Sequence, residues 1–317
     1  MQSTKKFIHF LIFFLLGWST FYIFNKGSIN VYVDSQINEK TNDSGFSLIS
    51  KNYNKNQGIQ EKTNRFQAVA QQIATENTDI EISLYFRDLN NGPWLTINPL
   101  GLFDGASLLK VPILIAYLKT AENNPEILQK EIVYEEAFGK DLNYDSSFDQ
   151  SLVIGQSYTV EYLLKLMIQE SDNVAKLLLQ ASENEIGLSP NIEETHKLLG
   201  FDNISDIITI DRYSAVFRIL YNSEFLNPAM SEKALSIMSN SKYENALLKH
   251  LPKNLVVAHK YGIRKYEGDE ATQLHDCGII YTKNPYLLCV MTIGKDIQAQ
   301  EEIIGKISQE SYQIFSY

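Results

Sequence analysis

The sequence predicts an α/β (α+β) fold: a mixed antiparallel sheet built from both ends of the folded region, with an all-helical lobe inserted between them. Three observations lead there. A helical stretch and two strand-like runs come first, helical periodicity then dominates from Ser107 to about Ser241, and three strand-like runs followed by a helix close the chain.

The elements can be justified in order. Phe7 to Phe24 (FIHFLIFFLLGWSTFYIF) is almost wholly apolar and follows Lys5 and Lys6, which predicts that residues 1–26 are an uncleaved membrane signal anchor with everything beyond it exported. A cleaved signal segment and a buried core helix are the alternatives. Residues 27–62 change to Asn, Ser, Lys, Gln and Gly without a sustained period, as expected of a flexible tether, which leaves 63–317 as the folded domain. Arg65 to Ala74 has helical spacing, Ile80 to Phe86 alternates as a strand does, and a turn at Asn90-Asn91-Gly92-Pro93 leads into the short strand Trp94 to Ile97. The late strands are Leu255 to Tyr261, Gln273 to Tyr281 and Tyr286 to Ile293, the last two joined by a turn at Lys283-Asn284-Pro285. An amphipathic helix from about Gln298 to Phe315 ends the chain, and a ligand cleft is expected between sheet and helical lobe.

Composition narrows the function. The 317 residues carry 28 Lys+Arg against 38 Asp+Glu, a net charge of −10 that lacks the basic field nucleic-acid binding requires. Two cysteines cannot make a disulfide scaffold or a metal cluster. Cys277 and Cys289 flank the last hairpin; two free buried thiols are expected there, with an export-side disulfide as the alternative. The five His are scattered, and neither HExxH, GxGxxG nor GxSxG occurs, so no metal, no cofactor and no Ser–His–Asp triad is expected.

Three short motifs remain. Ser107-Leu108-Leu109-Lys110 opens a strongly apolar helix, where a hydroxyl and an amine one turn apart can exchange a proton and the helix start offers N–H groups to an oxyanion. The same Ser-x-x-Lys spacing recurs at Ser3 and Ser239 without that context, and Ser107 alone reads as a helix cap. Ser171-Asp172-Asn173 lies between two helices of the lobe, where capping is again the bland reading. Lys260-Tyr261-Gly262 lies on the first late strand, where the bland reading is an exposed edge lysine.

In this order and context the motifs resemble those of the penicillin-recognising serine enzymes, most closely the class A β-lactamase-like group, over about Asn64 to Tyr317. The resemblance implies a catalytic domain in which Ser107 is the acylated nucleophile and Lys110 its proton acceptor. By the same resemblance Ser171 relays a proton to the leaving nitrogen, Asn173 holds the substrate amide, and Lys260 adds positive potential near the substrate carboxylate. The Ser107 and Ile263 N–H groups would form the oxyanion hole, with Tyr261 and Gly262 beside the substrate. A nearby Lys260 and partial burial would depress the Lys110 amine enough for it to act as a base. The implied substrates are a small-molecule β-lactam or the D-alanyl amide of a peptidoglycan stem peptide, reached from a membrane-anchored, extracytoplasmic position. A D-Ala-D-Ala peptidase-like enzyme and a non-turnover penicillin-binding sensor are the alternatives.

Two departures matter. The family's water-activating Glu has no counterpart in Asn203 to Tyr213 (NISDIITIDRY), where only Asp206 or Asp211 could substitute. The segment ITIDRYSAVFRIL instead resembles the helix start of peptidase-like members, with Thr209 capping. Tyr261 replaces the usual Thr or Ser, so the carboxylate pocket must be reshaped or unused.

Overall fold

The computed structural model describes residues 31–34, 48–90, 92–135, 152–201, 206–265, 268 and 270–316. The sheet has six strands: β1 (Val31–Asp34), β2 (Glu81–Asp88), β3 (Trp94–Ile97), β8 (Val257–Lys265), β9 (Thr272–Ile280) and β10 (Tyr286–Gly294). Their order is β1-β3-β2-β10-β9-β8, with every neighbouring pair antiparallel. Early and late strands therefore meet at β2 and β10, as the sequence predicts. Both are buried nearly throughout, because the sheet is covered on both faces.

One face packs against α1 (Leu48–Glu76) and α9 (Ile297–Phe315). Phe86 lies there between Phe66 and Phe315, with ring centroids 5.3 Å and 4.3 Å away. The other face carries the helical lobe. Its central helix, α2 (Lys110–Ala121), is buried at every position but Lys119, consistent with a sequence that is apolar all round. Around it lie α3 (Val160–Gln169), α4 (Asn173–Ala181), α5 (Glu183–Ile186), α6 (Ile192–Leu198), α7 (Ile210–Tyr221) and α8 (Pro228–Met238). Two small ladders link the lobe: β4 (Phe103–Asp104) with β7 (Ile207–Ile208), and β5 (Glu131–Val133) with β6 (Ser157–Thr159).

Several expectations change. Part of 27–62, read as a tether, is ordered: β1 pairs with β3, and α1 starts at Leu48 rather than near Arg65. Burial of Phe66 and Ala70 anchors the helix, and each further residue toward the N-terminus adds a hydrogen bond without a new nucleus. Among the described residues no helix is long and apolar enough to cross a membrane; the run Phe7 to Phe24 lies outside them. Cys277 and Cys289 are disulfide-bonded rather than free thiols. They are directly opposed in the β9–β10 register with Cα atoms 4.0 Å apart, a proximity that the hairpin geometry imposes.

Candidate active site

The nucleophile turn is a 3₁₀ segment, Ala106–Leu109, that runs straight into α2 and places Ser107 one turn from Lys110. Ala106 sits at φ 45°, a conformation unfavourable for a residue with a Cβ, so its neighbours must impose it. The Asp104 carboxylate accepts the Ala106 N–H at 2.7 Å, and Arg264 lies 3.4 Å from its other oxygen. The Asp104 N–H donates to Gln273 (2.9 Å), its carbonyl lies 3.0 Å from His275 Nε2, and the Gly105 N–H donates to the Asp206 carbonyl (2.7 Å). Tyr213 on α7 donates its hydroxyl to the Leu108 carbonyl at 3.0 Å. The residue before the nucleophile is thus held from two sheet strands and from the chain entering α7.

Gly262 lies at a close approach between β8 and the nucleophile turn. A Cβ there would stand 3.3 Å from Ala106 Cβ, the Gly105 carbonyl oxygen and Leu108 Cγ. Its absence lets edge strand β8 lie against the nucleophile turn and brings Ile263 alongside Ser107 at one cavity of about 380 Å³.

Ser171-Asp172-Asn173 divides its labour. Asp172 is the N-cap of α4, accepting the Ala175 N–H at 2.7 Å, so capping accounts for the middle residue alone. Ser171, at φ 59°, turns its carbonyl and hydroxyl toward Lys110. The buried Lys110 Nζ donates to the Ser171 carbonyl, to Ser171 Oγ at 3.3 Å and to Asn173 Oδ1 at 2.7 Å. Lys260, fully buried on β8, donates to the same Ser171 Oγ at 2.9 Å and to the Tyr261 carbonyl at 2.9 Å. One hydroxyl therefore bridges two buried amines. Burial, reinforced by the Lys110 charge, holds the Lys260 amine well below the ordinary lysine value, with Asp276 opposing.

Tyr261 is turned aside. Its ring stacks on Tyr243 with centroids 4.0 Å apart, and the Lys260 Nζ lies 4.2 Å from its centroid. The phenol is accommodated as a platform for the buried lysine.

Of the two aspartates considered for water activation, Asp211 is drawn to the sheet by Thr96, 3.3 Å away, where burial raises its carboxyl. Asp206 borders the Ser107 cavity. Thr209 occupies the N-cap position of α7, but its side chain makes no capping bond. Lys176, Gln180, His196 and Arg264 also border the cavity and were not picked out from sequence. Lys176 had a readable signal, since it follows Asn173 by three residues on a helix. Among the described residues no cluster suited to a metal ion occurs.

A helical lobe closed on an antiparallel sheet, with a Ser/Lys cluster at their junction, defines the serine β-lactamase and transpeptidase class of fold. The chain belongs to the β-lactamase enzyme family, whose model matches residues 63–315. It is similar to β-lactamase VEB-1 of Pseudomonas aeruginosa, with 24% identity over 261 residues that cover 74% of this chain and 83% of that one. The solved structure of PBP-A has a TM-score of 0.66 at 22% identity, covering 79% of this chain and 96% of that one. A PBP-A mutant solved as an acyl-enzyme complex with penicillin G has a TM-score of 0.65 at 22% identity, with coverages of 80% and 96%.

Proposed function

We propose that the protein is a serine acyl-hydrolase that opens a β-lactam, or a related D-alanyl amide, through an acyl-enzyme on Ser107. The observation that carries this reading is the Ser171 hydroxyl bridging Lys110 and Lys260 behind the nucleophile turn. A base is useful only when neutral, and two buried amines cannot both stay charged. The bridging hydroxyl lets the two amines share one proton, Ser171 Oγ taking one as it releases another. A proton that passes from Lys110 to Lys260 removes the Lys110 charge that disfavours a charged Lys260, and Asp276 supports it there. Lys110 then accepts the Ser107 proton as Oγ attacks the carbonyl carbon. Collapse of the tetrahedral adduct breaks the C–N bond, and the leaving nitrogen takes its proton through Ser171. The N–H groups of Ser107 and Ile263 are assigned to the oxyanion.

Slow deacylation, as in a D-Ala-D-Ala peptidase or penicillin-binding sensor, is the second reading. It is favoured because Asp206 alone of the two candidate carboxylates borders the cavity, while Asp211 is engaged with Thr96. One experiment separates the readings. The full chain and its Ser107→Ala variant are incubated with a fluorescent penicillin and a chromogenic cephalosporin. Sustained colour supports a β-lactamase, lost in Asp206→Asn if that carboxylate activates water; stable Ser107-dependent labelling without colour supports the second reading. Equal behaviour of wild type and Ser107→Ala removes the nucleophile assignment. We assign the site to the extracytoplasmic side, with Phe7 to Phe24 as the anchor. Recovery in the membrane fraction, with the domain open to protease added outside the cell, tests this.

A further inference from the structure

The acyl-enzyme reading leaves open which acyl groups the cleft prefers, and the charges around the cavity bear on that. Three cations border it, and two are matched: Lys110 is engaged by Ser171 and Asn173, and Arg264 faces Asp104. Lys176 is different. It is half-buried on α4, borders the same cavity, and makes no ion pair among the described residues. It lies one helical turn beyond Asn173, the residue assigned to the substrate's acyl amide, and Gln180 follows it one turn further along the same border. A group attached next to that amide, on the side away from the scissile bond, would extend past Asn173 toward Lys176. Asp206 and His196 also border the cavity, and the Asp206 carboxylate supplies the competing preference for an ammonium.

We propose that Lys176, with Gln180 beside it, makes the acyl side of the cleft a subsite for a carboxylate carried on the acyl group. The preferred donor is a β-lactam or D-alanyl peptide with a negative charge next to its acyl amide. The inference rests on the acyl-enzyme reading, and its test keeps the two apart.

Three penicillins form a nearly isosteric series: benzylpenicillin, its α-carboxy derivative and its α-amino derivative. Second-order rate constants for acylation of the full chain are measured by competition with a fluorescent penicillin. In the wild type the carboxy derivative should react about tenfold faster than benzylpenicillin, as expected for one charge-assisted contact, and the amino derivative slowest. The carboxy-to-benzyl ratio, taken within each variant so that general losses cancel, should persist in Lys176→Arg, fall to near one in Lys176→Gln, and invert in Lys176→Glu. A wild-type ratio of one or less, with benzylpenicillin still labelling Ser107, overturns the subsite and leaves the acyl-enzyme reading intact. A high ratio unchanged in Lys176→Gln overturns Lys176 as its source. Failure of all three compounds to label Ser107 overturns both.

Discussion

Lys260 is fully buried with a depressed amine, so it releases its proton on folding over a range where the unfolded chain keeps it. Between the folded value and the ordinary 10.5 the unfolded state binds more protons, and stability conferred through this residue rises with pH. Urea unfolding of wild type and Lys260→Met should show the variant relatively most stable near pH 7, with the gap moving in the wild type's favour toward pH ~10. His275 follows the same sign at lower pH. Burial pushes its imidazole down to about 4 from 6.5, and Nε2 lies 3.0 Å from the Asp104 carbonyl while Nδ1 accepts the Thr292 N–H at 3.3 Å. Acidification from pH ~6.5 to ~4 should cost about 3 kcal/mol through this residue. His275→Gln, which offers one donor and one acceptor but does not titrate, should flatten that part of the stability profile.

Among the elements, β8 and the nucleophile turn have the least room. At Gly262→Ala the neighbours at 3.3 Å must give by a few tenths of an ångström, whereas Gly262→Val must displace the turn that carries Ser107. Labelling of Ser107 by fluorescent penicillin should slow by about a hundredfold in the valine variant, since a shift of about 1 Å is costly to a nucleophile, and much less in the alanine variant. The long elements and the residues with motif spacing were legible in the sequence: β2, β10, α9, Ser107 with Lys110, and the pairing of early with late strands. What escaped has identifiable causes. β4 and β7 are two residues each, too short to show a period. The left-handed conformations of Ala106 and Ser171 fall on residues that rarely adopt them, and they are imposed by partners remote in the chain. Asp104 is fixed by Gln273 and His275, 169 and 171 positions away, contacts that no local pattern announces. Tyr261 was legible as a departure, but its stacking on Tyr243 was not.

For the whole molecule, the net charge of −10 contrasts with a cleft whose border has Lys110, Lys176 and Arg264 against Asp104 and Asp206. The two sheet edges are set apart in role: β1 forms one edge, and β8, with Lys260, Gly262 and Ile263, forms the other. Between β9 and β10 the sheet is covalently closed by Cys277–Cys289, a bridge that forms readily only in an oxidising compartment. Replacing both cysteines by alanine should lower stability by about 2 to 3 kcal/mol, measured by urea unfolding with and without reductant.

The ladder gives that bridge a second consequence. Cys277 is opposed by Cys289 on one side and by Lys260 on the other. A slip of one residue between strands would exchange their two faces and swing the lysine away from Ser171. The covalent link fixes the β9–β10 register at the residue that also pairs with Lys260 across β8 and β9. Oxidation of the two cysteines therefore bears on the alignment that sets the Lys260 amine beside Ser171 and Lys110.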